Sequence, residues 1–115
     1  MYEAVTRGVR VRVVPEYSEE HSEPDTPRHF WVYTIDIINE GDATVQLRSR
    51  HWLITDGTGK REEVRGPGVV GEQPVLKPGE RHRYSSGCAL QTPSGFMGGT
   101  YQMVTESGDR FDATI

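Results

Sequence analysis

The chain has 115 residues, a formal net charge of -4 at pH 7, a 34% hydrophobic fraction and 26% charged residues. That length predicts one domain over 1–115, and the negative balance excludes the broad positive field on which nucleic-acid binding depends. No apolar run approaches the roughly 20 residues of a membrane span and Cys88 is the only cysteine, so the expectation is a cytoplasmic protein with no nucleic-acid or membrane partner.

Taken in chain order, Val5, Val9, Val11 and Val13 alternate with Arg10 and Arg12, the period-two pattern of a half-buried strand. The polar stretch 18–28, with Pro24, Pro27 and several acids, reads as a long exposed loop. Trp31, Tyr33, Ile35 and Ile37 then line one face of a central strand that ends at a turn over 39–42. Val45 and Leu47 sit on odd positions whereas Trp52 and Ile54 sit on even ones, so a bulge near Ser49 is needed to bring all four to one side. Asp56, Gly57, Thr58 and Gly59 mark a tight hairpin turn into a strand over 60–64. Pro78 and Gly79 centre the next turn, ahead of alternation at His82, Tyr84, Ser86 and Cys88. Two short strands, 101–104 and 110–115, flank a last turn at Ser107, Gly108 and Asp109. No window shows a capped, 3.6-period helix, which the 13 glycines and 7 prolines disfavour.

Strands at this spacing, about seven in all, predict an all-β antiparallel sandwich of the immunoglobulin or fibronectin type III-like kind, with a partly open barrel as the alternative. The proline-glycine turn before Tyr84 suggests a tyrosine corner. Trp31, Trp52, Phe30, Phe96, Phe111 and five tyrosines offset the lean apolar fraction, and Cys88 is expected as a small core filler.

Residues 50–56 (RHWLITD), 66–74 (GPGVVGEQP), 76–80 (LKPGE), 84–87 (YSSG) and 95–103 (GFMGGTYQM) together resemble the signature of the ApaG family, and the likeness runs from Val5 to Ile115 outside 18–28. The resemblance implies a fibronectin-like sandwich, found alone in bacteria and appended to eukaryotic F-box proteins and a polymerase-associated protein. That distribution favours a non-enzymatic module for a protein partner. It also implies a link to cobalt and magnesium tolerance, and a gene neighbouring that of a diadenosine tetraphosphate hydrolase. Members continue past the position of Ile115 with another strand, so either a shortened C-terminus or a sheet edge lacking its last partner is expected.

Gly66, Gly68 and Gly71 satisfy the spacing of a dinucleotide fingerprint, yet no helix follows to supply amides for a pyrophosphate. Two readings stay open. The loop amides form an anion nest with Arg50, His51, Arg61 or Arg65 adding charge, which makes the domain a sensor of pyrophosphate-containing nucleotides. Alternatively, the glycines serve only positive φ or close approach, and the domain binds a protein. Clustering of Arg50, Arg61 and Arg65 beside the loop would favour the sensor. At Gly68 the structural role is expected, because Pro67, Val69 and Val70 are residues confined to negative φ. Phe96 and Met97, between Gly95 and Gly98, are the aromatic and thioether pair expected to face a partner.

His21, His29, His51 and His82, with Glu19, Glu20, Glu23 and Asp25, carry metal donors in no metal-motif spacing, so no metal site is expected. Ser85, Ser86 and Cys88 form no triad or nucleophile elbow, and Asp36, Asp56, Glu62, Glu63 and Glu72 form no evident pair. No catalytic residue and no cofactor is therefore expected.

Overall fold

Alternation along the chain produces two antiparallel sheets packed face to face. The computed structural model describes residues 2–23, 28–92 and 94–115, with side chains for all of these except 19–23 and Arg28. Among the described residues there are nine strands and no helix. One sheet runs β1-β2-β3-β7, built from β1 (Tyr2–Thr6), β2 (Val9–Glu23), β3 (Arg28–Asn39) and β7 (Arg81–Leu90). The other runs β5-β4-β8-β9, built from β5 (Arg61–Pro67), β4 (Val45–Asp56), β8 (Gly95–Thr105) and β9 (Arg110–Thr114). The two-residue β6 (Val75–Leu76) pairs with the start of β4.

Between the sheets, Val9, Val11, Ile35 and Ile37 meet Leu47, Tyr101, Met103 and Ala113, all shut off from solvent. Each large aliphatic or aromatic side chain removed from water contributes about 1.5–3 kcal/mol before the entropy of ordering is set against it. The odd-even conflict in β4 resolves as the pattern requires. Leu47 pairs with Met103 and Ser49 with Gln102, so Arg48 is the extra residue of a β-bulge. Past the bulge the even positions Arg50, Trp52 and Ile54 face inward. The carbonyl of Arg48 accepts the amide of Gly68 at 2.9 Å and Nε2 of Gln73 at 2.8 Å.

Local turn chemistry also holds. The carboxylate of Asp56 accepts the Thr58 amide at 2.9 Å, the Thr58 hydroxyl at 2.6 Å and the Lys60 amide at 3.0 Å, closing the β4–β5 hairpin. Pro78 and Gly79 form a turn in which the Glu80 amide donates to the Lys77 carbonyl at 2.9 Å, with Gly79 at φ +87.

Several expectations are corrected. The single strand read from Val5 to Val13 is folded in two, because Arg7 (φ 47) and Gly8 (φ 80) make a two-residue hairpin turn and Thr6 pairs with Val9. Much of the expected loop at 18–28 is strand: Ser18 pairs with Phe30 and Glu23 with Arg28, since ladder bonds need no apolar side chains. Pro24, Asp25, Thr26 and Pro27 lie outside the described residues. Tyr84 makes no tyrosine corner, because its hydroxyl meets the hydroxyl of Tyr101 rather than a backbone group upstream. Cys88 is half-buried at the edge of the core rather than inside it.

Candidate functional site

The two lateral seams of the sandwich differ. On one side β1 and β9 close together: the Thr114 amide donates to Oγ1 of Thr6 at 3.1 Å, and the Arg7 guanidinium lies 4.7 Å from the centre of the Phe111 ring. On the other side, the edge strands β5 and β7 stand apart. The ends of this seam are tied, with Oε2 of Glu72 3.5 Å from Nε2 of His82 at one end. At the other, the Gly57 amide donates to Oγ1 of Thr92 at 2.7 Å. Between the ties lies a cleft of about 610 Å³ walled by Trp52, Ile54, Val64 and Val69, with Tyr33, Tyr84, Ser86, Cys88 and Glu62 adding polar groups.

Arg50 is the cation of this cleft, placed there by the Arg48 bulge. Its Nη1 donates to the carbonyls of Pro67 at 3.0 Å and Gly68 at 2.8 Å. Its register partner is Gly66, where a Cβ would stand 3.0 Å from Nη2, so the glycine makes room for the guanidinium. Nε and Nη2 of Arg50 have no acceptor among the described residues. The two tyrosine hydroxyls and the thiol near it are held neutral. Burial pushes the Tyr84 hydroxyl up to about 12 and raises Tyr33. Burial, with the charge of Glu62, also raises the Cys88 thiol, so it stays protonated and a poor nucleophile at neutral pH. The cleft thus sets one guanidinium among neutral hydroxyls and a thiol, with the carboxylate of Glu62 also in its lining.

The glycine loop folds back as a miniature hairpin. The amide of Val69 donates to the carbonyl of Glu72 at 2.7 Å and the amide of Glu72 to that of Val69 at 3.0 Å. Its tip is Val70 (φ 47) and Gly71 (φ 79), both left-handed as a type I′ turn demands. Val70 thus contradicts the expectation that it keeps negative φ: the closed hairpin overrides the preference of a β-branched residue, and Val70 stands 66% exposed at the cleft. Gly68 has φ +60, and a Cβ there would lie 2.2 Å from the Glu72 carbonyl oxygen. The amides of Gly68, Val69 and Glu72 are all committed to backbone carbonyls.

The structure does not gather the other sequence candidates. Arg65 and His51 face outward, each 3.7 Å from Oε2 of Glu63, while Arg50 faces inward. Arg61 pairs with Thr55, away from the loop. Phe96 is 68% exposed, whereas Met97 packs against the core. Both border a second, apolar groove of about 230 Å³ with Tyr2, Trp31, Leu90 and Ile115. His29 contacts the hydroxyl of Tyr17 at 3.0 Å, far in sequence and partner from His51 and His82. The side chains of Glu19, Glu20, His21, Glu23 and Asp25 lie outside the described residues. Among the described residues no three of His, Cys, Asp and Glu gather as metal ligands. Sequence reasoning passed over Tyr33, Ser86 and Glu62 as site residues, although the inward parity of Tyr84, Ser86 and Cys88 on β7 was a usable signal.

Comparison with known proteins follows the same lines. The ApaG domain profile matches residues 19–105. A Protein ApaG from Beijerinckia indica is 58% identical over 115 residues, covering 100% of this chain and 88% of its own length. One from Bradyrhizobium diazoefficiens shows the same 58% identity with coverage of 100% and 88%. Among solved structures, a Bordetella pertussis protein described as ApaA superposes with a TM-score of 0.91 at 48% identity, covering 93% of this chain and 87% of that one. A structural-genomics X-ray structure gives 0.88 at 49% identity, with coverage of 94% and 82%. The two-sheet fold, a domain profile over most of the sequence and full-length identity to bacterial relatives converge: this chain belongs to the ApaG domain family.

Proposed function

We propose that the domain is a non-catalytic binding module that receives a partner protein in the cleft between β5 and β7. The observation that carries this reading is the asymmetry of the two seams. One is sealed by Thr6, Arg7, Phe111 and Thr114, and the other is held open between tied ends over a cleft with apolar walls and one inward arginine. The strand order supports it as well. Reading β2, β3 and β7 as A, B and E, and β5, β4, β8 and β9 as C′, C, F and G, reproduces an immunoglobulin-type sandwich, a rigid frame on which edges and loops carry recognition. A single free cysteine suits work in the reducing cytoplasm. We read the family's tie to cobalt and magnesium as running through the partner.

Capture from a lysate of the native host tests the reading, with the chain immobilised as wild type, Ser86→Phe and Phe96→Ala. Filling the cleft at half-buried Ser86 is expected to abolish capture of a specific protein that wild type and Phe96→Ala both retain. Equal capture by all three would remove the cleft from the reading. One observation favours a second reading, binding of a pyrophosphate-containing nucleotide: the unspent Nε and Nη2 of Arg50 beside Gly66 and Gly68. Thermal stabilisation by diadenosine polyphosphate that Arg50→Ala loses would support it over the first.

A further inference from the structure

The free edge of β7 is a template for another strand. In an antiparallel pair, residues alternate between exchanging main-chain bonds with the neighbour and turning those groups away. The Asn39 amide donates to the Glu80 carbonyl at 2.9 Å, and the β3–β7 register continues unbroken from Ile38 with Arg81 to His29 with Leu90. By that parity His82, Tyr84, Ser86, Cys88 and Leu90 bond to β3. Arg81, Arg83, Ser85, Gly87 and Ala89 turn their N–H and C=O outward. β7 is the last strand of its sheet, and no backbone partner of these outward groups is present among the described residues.

Natural edges of this kind are blunted by proline, bulges or charge. Residues 84–90 (YSSGCAL) carry no proline, no bulge and no charge. An added strand would also send alternate side chains inward, into the cleft beside Trp52, Ile54 and Val64, where Nε and Nη2 of Arg50 lack acceptors among the described residues. A second copy of the chain fits this poorly, because its own β7 offers no carboxylate to Arg50.

We propose that the β7 edge captures an extended segment of a partner protein by β-strand addition, with an apolar residue of that segment filling the cleft and an acidic one meeting Arg50. The proposal rests on the cleft reading above and names the form of the partner. It is tested on the full chain with a linear peptide of about ten residues, selected from a random phage-displayed library and then synthesised with and without backbone N-methyl groups. Three results are expected. Amide resonances of Ser85, Gly87 and Ala89 shift on binding. N-methylation at alternate peptide positions of one parity weakens affinity about three- to tenfold per group, whereas the other parity changes it by less than about twofold. Ala89→Pro, which removes only an outward N–H, lowers affinity by about tenfold or more with the circular dichroism unchanged. Should that variant unfold, the N-methyl comparison decides alone. Tight binding in the cleft without parity dependence would overturn strand addition and leave the module reading standing. Shifts confined to the groove at Phe96 and Met97, or no selected peptide, would overturn both. Concentration-dependent shifts of the same amides without peptide would replace the partner segment by a second copy.

Discussion

Gly68 gives the sharpest test of how the loop is built, because two separate costs fall on one methyl group. At φ +60 an alanine forgoes about 1 kcal/mol relative to glycine. Its Cβ would also lie 2.2 Å from the Glu72 carbonyl oxygen, about 1 Å inside contact distance. Relief means moving that carbonyl, and with it the 2.7 Å bond it accepts from the Val69 amide, for a further 0.5–1.5 kcal/mol or so. Gly68→Ala is therefore expected to lose about 1.5–2.5 kcal/mol. At about 4 °C per kcal/mol for a chain of this length, that is a Tm lowered by about 6–10 °C. Gly71→Ala is the matched control: φ is +79, but the space around the position is open, so only the conformational cost of about 1 kcal/mol applies. Urea denaturation of both variants, with m-values compared, reads the difference directly. If Gly68→Ala costs no more than Gly71→Ala, the close approach to Glu72 is not a constraint and the account of the loop fails.

The neighbouring strain runs the other way: Val70→Gly should stabilise the unliganded domain by about 1 kcal/mol, seen as a raised urea midpoint, and a destabilised variant would contradict the left-handed assignment at φ 47. The largely buried carboxylate of Asp36 is held below its ordinary range by Arg83, whose Nε and Nη2 donate to it at 2.8 and 3.0 Å. A depressed folded-state pKa adds stability that is present above the unfolded value near pH 4 and is lost as the pH falls through the folded one. Acid titration should accordingly show Asp36→Asn less stable at pH 6, with the gap closing below about pH 4. A gap that persists at low pH would refute the pairing. Cys88, its thiol raised by burial, should react with a maleimide at pH 7 at least about tenfold more slowly than free cysteine.

Much of this was legible where the cause is local or periodic. The β4 bulge follows from side-chain parity alone, since Leu47 and Trp52 must share a face, and the hairpin at Asp56 follows from the reach of one carboxylate to its own backbone. The same parity argument also places Arg50 beside Trp52 and Ile54, so the cation of the cleft was present in the pattern before any coordinate. Other features depend on partners distant in sequence. Strand pairing beyond Ser18 is made by main-chain bonds and leaves no trace in a polar stretch. The left-handed Val70 is imposed by ladder bonds between Val69 and Glu72, which outweigh a preference that sequence reading took as decisive. The openness of one seam reflects how far apart two edge strands stand, a distance that no run of residues encodes.

The ties at the two ends of the cleft decide how anything gets in. Contact between Glu72 and His82, and between Gly57 and Thr92, spans the two ends of the cleft and leaves its flank without such a tie. Under the strand addition proposed above, a partner segment would be laid down sideways and peeled away again, with no need of a free terminus. Mid-chain stretches of a folded protein, looped out between anchored ends, would then serve as readily as a tail.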